Sequence, residues 1–300
     1  MPRTFRLLTA LALLPAWLAA APLTVIYPAP EAVGDTRDED VIELLRLALD
    51  KTVASYGPYV LQPSVVMNEN RYRESLRRGM GVSVGWLSVT ADTEREFLAV
   101  PVPVRKGVLG YRVFIIRKQD LPRFAQVGSV QQLKEMRVGQ GVGWNDVPLL
   151  RGNGFNVALS QTYEGLFALL AAGRVDYLSR GINEAWREVA QFQSRYPDLV
   201  VEPRLMLYYP WPKYFYLNRK DKALAQRLEK GLQRAQQDGS FDALFRRFHQ
   251  QDLTRANIAE RQIFCIENPL FPDGIPPAAR QMWYRPSQTF PCLDKVLKEK

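Results

Sequence analysis

The chain has 300 residues, with 40 Lys and Arg against 31 Asp and Glu for a net charge of +9, and it contains one histidine and two cysteines. That length allows two domains or one large one, a single histidine excludes a Cys/His zinc site, and any serine or cysteine triad has only His249 as its base. The basic balance suits an anionic ligand or surface; no nucleic-acid-binding motif is present and no nucleic acid partner is expected.

Residues 1–20 carry Arg3 and Arg6, the apolar run LLTALALLPAWLAA and small residues up to Ala21, the three-part pattern of a signal peptide cleaved after Ala20. Pro15 interrupts the run, which is shorter than the ~20 apolar residues of a membrane span. No cysteine follows to take a lipid, so a free, periplasmic mature chain is expected. LTVIY, residues 23–27, predicts a strand. In DTRDEDVIELLRLALDKTVASYG, Val41, Leu44, Leu45 and Ala48 recur at helical spacing, Thr36 with Glu39 reads as a capping box, and Gly57 as a stop. YVLQPSVV is strand-like, NRYRESLRR is a short polar helix closed by Gly79, and GVSVGWLSV returns to strand composition.

The alternation continues. GYRVFIIRK is a strand, Ser129 with Gln132 caps the helix VQQLKEM, RVGQG is a strand, and NDVPLLRGNG is a helix with Pro148 in its first turn. Tyr163, Leu166, Phe167 and Leu170 line another helix, stopped by Gly173 before the strand VDYLSRG. Strands separated by helices imply a mostly parallel sheet covered on both faces. The aromatic, proline-punctuated stretch 200–219 reads as a strand and crossover. Two helices follow, lined by Leu224, Leu228, Leu232 and Ala235 and by Phe241, Leu244, Phe245 and Phe248. Beyond about residue 255 the chain reads as an irregular tail stapled by a Cys265–Cys292 disulfide, since an even pair in an exported chain is better explained as a bridge than as reactive thiols. Such a loop adds roughly 3 kcal/mol if unstrained.

The chemistry concentrates at strand ends. Ser88 and Thr90 end one strand and Arg95 follows five residues later, so hydroxyls, backbone N–H groups and a guanidinium could together receive a carboxylate. Gly143 and Trp144 follow RVGQG, Tyr27 and Trp86 lie on or after strands, and Arg180 closes VDYLSRG. Glu94, Asp146 and Glu184 are available for acid or base work, but nothing pairs them at a defined spacing. No catalytic constellation, metal site or cofactor motif emerges; the glycines 139, 141 and 143 do not match the dinucleotide fingerprint.

Four segments in order, SVTADTER, AVPVPV, VGQGVGWND and LLAAGRVDYL, resemble those of the type II periplasmic solute-binding proteins of the polar amino acid branch, over roughly residues 22–250. The resemblance implies an α/β fold of two lobes, each a mostly parallel sheet flanked by helices, joined by two hinge crossovers near residues 105–112 and 203–213. The expected organisation is a leader at 1–20, lobe 1 from 21–108 and 210–258, lobe 2 from 109–209, and an extension at 259–300. It further implies a monomer that closes over a small anionic or zwitterionic ligand and presents it to a membrane permease or receptor. The ligand residues it points to are Tyr27, Trp86, Ser88, Thr90, Arg95, Gly143, Trp144 and Arg180. The same fold occurs in dehydratase and transglycosylase relatives, which keeps an enzyme as an alternative. The chain departs from the branch at Gly181, where amino acid binders usually place an aspartate for the ammonium group. The expected ligand therefore keeps a carboxylate or other anionic group for Arg95 but is not a simple zwitterionic amino acid. Arg180 beside Gly181 either contacts a second ligand group or pairs with Glu184, Glu94 or Glu96 and braces the lobes.

Overall fold

The structure is a computed structural model and describes residues 21–30, 37–270, 281–287 and 290–298; the expected leader lies outside them. Among the described residues no helix is long and apolar enough to cross a membrane. Strand β1 (Leu23–Tyr27) pairs parallel with β2 (Tyr59–Pro63). Strands β3 (Val84–Ser88) and β4 (Leu98–Val100) flank β11 (Lys213–Leu217), which runs antiparallel to both. The largest sheet contains β5 (Tyr111–Arg117), β6 (Arg137–Gly141), β7 (Asn156–Ser160), β8 (Tyr177–Gly181), β9 (Leu199–Val201), β10 (Leu205–Tyr208) and β12 (Gln262–Cys265). Its order is β12–β10–β5–β8–β6–β7, with β9 also on β5.

Four of the nine strand pairings among the described residues are parallel and five antiparallel, so the sheets are less parallel than the strand–helix alternation suggests. The cause is the double crossover. The chain leaves the first lobe after β4 and returns along β10 into β11, and these strands run against the neighbours they join. Each lobe has its own core. Val25, Leu45, Val84, Phe215 and Leu228 belong to one side, and Val113, Phe114, Phe167, Leu178 and Leu207 to the other. The one-sided apolar stripes of the helices supply these cores, each buried large side chain contributing roughly 1.5–3 kcal/mol of transfer free energy.

Helices α1 (Glu39–Asp50), α2 (Val53–Tyr56) and α3 (Glu69–Arg78) cover the first lobe. Helix α1 starts after Asp38, whose side chain makes no capping bond; Thr36, expected as its cap, lies outside the described residues. Gly79 ends α3 in the left-handed region at φ 68°, where the absence of Cβ removes the steric cost. The residues between Thr90 and Phe97 form a short helix, α4 (Ala91–Glu96). In the second lobe α5 (Leu121–Ala125) precedes α6 (Val130–Glu135), which carries the Ser129–Gln132 capping box. Helices α7 (Asp146–Gly152), α8 (Tyr163–Ala171) and α9 (Ala185–Phe192) follow. Helix α10 (Lys222–Gln237) crosses α1 so closely that a Cβ on Gly231 would sit 1.9 Å from the Ala48 carbonyl oxygen.

Helix α11 (Ser240–Ala256) forms where its apolar residues predict it, and the tail beyond it departs furthest from expectation. The tail is not irregular: β12 extends the second lobe's sheet parallel to β10, and helix α12 (Pro291–Lys298) follows. Cys265 and Cys292 are bonded, with Cα atoms 5.4 Å apart, which bears out the expected bridge.

Candidate ligand-binding cleft

The carboxyl ends of β1 and β3 belong to the first lobe and those of β6 and β8 to the second, and Arg105 on the first crossover is near enough to Glu184, just beyond β8, to act on its charge. Open α/β sheets bind ligands beyond the carboxyl ends of strands. On the first side Lys213 opens β11 directly opposite Ser88, and residues paired across a sheet share a face. Trp86 lies two residues earlier on the same face, with the Tyr27 ring 6.5 Å away. The start of α1 brings Asp38 and Asp40 to this corner. Arg105, from the first crossover, donates to Asp40 through Nε and Nη2 at 2.7 Å each and to Asp38 at 2.8 Å. His249 on α11 is 3.0 Å from Asp40. Burial alone would raise the pKa of Asp38, but Arg105, with Lys213 and the Trp86 indole adding, brings it below the ordinary aspartate value. The Asp38 side chain stays 41% exposed while that of Arg105 is 7% exposed, so the anion is the more accessible member of the pair.

The second side repeats that layout. Arg180, 9% exposed, donates to Glu188 on α9 through Nε at 2.8 Å and Nη2 at 2.6 Å, a two-pronged pair. Its guanidinium stacks 4.6 Å from the centre of the Trp144 ring, and the ring in turn packs on Gly141, where an added Cβ would lie 2.5 Å from it. Tyr163 donates to Glu188 at 3.0 Å. Arg112 pairs with Asp146 at 2.6 Å, and Asp146 also accepts from the Tyr209 hydroxyl. Glu184 lies between the two arginines, 3.4 Å from Arg180 and 3.5 Å from Arg112, and accepts the Gly181 N–H at 2.9 Å. Burial would raise the Glu184 pKa, but Arg180, Arg112 and the Gly181 amide bring it down to about 2, with Arg105 across the cleft contributing. Its side chain is 28% exposed. On each side one carboxylate, Asp38 or Glu184, is more exposed than the buried guanidinium beside it, and that neighbouring cation favours its ionised form.

No protein-family profile matches the sequence, and no curated protein does. Solved structures do match. An ancestral arginine-binding protein with arginine bound aligns over 77% of this chain and 99% of its own, at 16% identity and a TM-score of 0.53. A structure from work on glutathione import and the cystine importer of Streptococcus mutans aligns over 76% and 95%, at 13% identity and a TM-score of 0.54. A histidine kinase sensor domain with similarity to periplasmic binding proteins aligns over 76% and 95%, at 16% identity and a TM-score of 0.50. The chain has the two-lobed fold of the type II periplasmic binding proteins.

Within this periplasmic-binding-protein fold the sequence-derived residues separate. Tyr27, Trp86 and Ser88 are in the first lobe, Trp86 and Ser88 buried, and Gly143, Trp144 and Arg180 in the second, Arg180 buried. Gly143 has φ 81° with open space where a Cβ would be, so nothing packs against its backbone. Thr90 is engaged locally, since its hydroxyl accepts from Thr93 N at 3.2 Å as the cap of α4. Arg95 stands elsewhere. Helix α4 runs back from the cleft end of β3, and the Arg95 carbonyl meets Arg219 Nε at 2.9 Å. Arg219 follows β11 at the end of the sheet opposite Lys213. The Arg95 side chain is 71% exposed and paired with Asp92 at 2.6 Å.

Sequence reasoning missed Asp38, Lys213 and Arg105, and named Glu184 as an available acid and as one possible partner of Arg180. Asp38 sits in the run RDED, which reads as a helix start. Lys213 carries a weak signal, a lone cation between Pro212 and the apolar strand YFYL. Two surface grooves elsewhere, about 230 Å³ beside Arg123 and Met136 and about 320 Å³ beside Arg46 and Arg247, contain none of the buried polar residues. Among the described residues no three His, Cys, Asp or Glu side chains group closely enough to hold a metal.

Proposed function

We propose that the protein is an exported solute-binding protein that captures a small, carboxylate-bearing ligand between its lobes and presents it to a membrane permease. The leader pattern supports export. The observation that carries the ligand assignment is Lys213 opposite Ser88: among the described residues Lys213 makes no ion pair within 4 Å and only shares the field of Asp38. An ammonium beside a hydroxyl at a strand end is a receptor for a ligand carboxylate. Arg180 supports a bracing role, because its guanidinium is already held by Glu188. Glu184, folded against the Gly181 amide, offers a carboxylate close to where amino acid binders carry an aspartate, and with Asp38 it accommodates an amine. The reading is therefore a zwitterionic ligand, in place of the non-zwitterionic one expected from Gly181, with aromatic walls from Tyr27 and Trp144 and the buried Trp86 behind them. Catalysis has less support, because Asp146 and Glu184 are both ion-paired acids.

Native mass spectrometry of ligand carried through purification, followed by calorimetry, tests the site. Lys213→Ala and Glu184→Gln should each weaken binding about tenfold or more, a loss of about 1.4 kcal/mol, while Arg95→Ala leaves it unchanged. The opposite pattern, affinity lost with Arg95 and kept without Lys213, overturns the assignment. A sensing role is the second reading, favoured by the likeness to a histidine kinase sensor domain; cross-linking in membranes to a kinase rather than a permease would select it.

A further inference from the structure

The C-terminal segment binds both crossovers. On the first, Tyr284 donates its amide to the Lys106 carbonyl at 2.8 Å, and the Trp283 ring covers Gly107, where an added Cβ would lie 2.4 Å from it. Lys106 and Gly107 both have positive φ, 49° and 72°, so the segment that would rotate is a tight turn with an indole packed on it. On the second, Ile266 donates to the Tyr208 carbonyl at 2.9 Å and Asn268 Nδ2 to the Pro210 carbonyl at 2.8 Å. The Phe290 ring is 5.4 Å from Tyr111 and 5.0 Å from Tyr208, which join the crossovers to the second lobe. Tyr111 also donates its hydroxyl to the Tyr284 carbonyl at 3.0 Å.

The segment also touches both cores at once. Met282 belongs to the first lobe's core and Trp283, its neighbour, to the second's. Helix α11 does the same, with Phe241 in the first core and Phe245, Leu253 and Ala256 in the second, while its Asp242 pairs with Lys106 on the crossover. Lobe closure works by changing φ and ψ at a few hinge residues. Here those residues are hydrogen-bonded and packed by a third element, and Cys265–Cys292 ties the part that holds β10 to the part that holds the first crossover.

We infer that the C-terminal segment is a clamp on both crossovers that fixes the angle between the lobes, and that the Cys265–Cys292 bond keeps the clamp in place. Rotation of the lobes requires Trp283 to leave Gly107 or Tyr284 to release Lys106. The protein therefore holds one inter-lobe angle in the absence of ligand, and loss of the bridge frees it.

Single-molecule energy transfer tests this without any ligand, so its outcome is independent of the binding assignment. Dyes attached through non-canonical amino acids at exposed Met80 and Gln193 report the inter-lobe distance in the full mature chain. The wild type should give one narrow distribution. Trp283→Ala and the double variant Cys265→Ser with Cys292→Ser should broaden it and add longer distances, with the far-UV circular dichroism of the folded protein retained. Where a variant fails to fold, reduction of the bridge in the folded wild type gives the same reading. A broad wild-type distribution, or an unchanged one after folded-state reduction and in folded Trp283→Ala, overturns the clamp.

Discussion

Arg180 shows how one side chain can satisfy two demands. It is buried, and the same guanidinium grips Glu188 and supports the Trp144 ring. Removing one member of a buried pair costs about 3–5 kcal/mol because the other charge is left uncompensated, whereas replacing both with apolar groups is often close to neutral. Arg180→Ala should therefore lower stability by about that amount in urea titrations, and Arg180→Met combined with Glu188→Met should recover most of it. A double variant as unstable as the single one would show that the charges, not the packing, hold this wall. The strand-end arginine was legible in the sequence, and so was the possibility that Glu184 braces it. Glu188, its main partner, was not, because α9 is eight residues long and its register against β8 depends on tertiary packing. Arg95 illustrates the converse. Its spacing from Thr90 fits a carboxylate site in an extended turn, but the intervening residues form α4 and carry it to the other end of the sheet.

At the scale of elements, the close crossing of α1 and α10 depends on Gly231. Gly231→Ala has a helix-propensity gain of about 0.8–1 kcal/mol in its favour, yet the new Cβ would meet the Ala48 backbone at 1.9 Å, and no side chain there can yield. Thermal unfolding should show a net loss of about 1–3 kcal/mol, and an unchanged or raised midpoint would mean the helices separate freely. The elements with strong local signals were readable: α3 with its Gly79 stop, α6 with its capping box, α8, α10 and α11 with their apolar stripes. Those that were not share a cause. Strand β7 is half exposed along its length, α4 has six polar-rich residues and no stripe, and β12 is a four-residue strand whose identity comes only from lying beside β10.

For the whole molecule, charge rather than apolar burial sets the response to acid. Asp38, Asp40 and Glu184 all have pKa values below the ordinary ones, Glu184 at about 2 against a usual 4.5. The stability such groups add is complete above the unfolded-state value and disappears as pH falls through the folded-state value. Urea midpoints should hold steady between pH 7 and about pH 5 and decline from about pH 4.5 toward 2, with a shallower decline in Glu184→Gln; an equal slope in that variant would remove the cleft from the explanation. The two-lobed plan was legible through the resemblance carried by four segments in order, and the tail's part in it was not, because that part is entirely long-range. Strand β12 pairs with β10 across more than fifty residues of sequence, and Leu293 completes a core that begins at Val108. Synthesis proceeds from the N-terminus, so the middle of the chain is made long before the residues that finish its sheet and fill its core. The second lobe's sheet and core are therefore complete only once the last segment is in place, and the same segment reaches the first lobe's core through Met282.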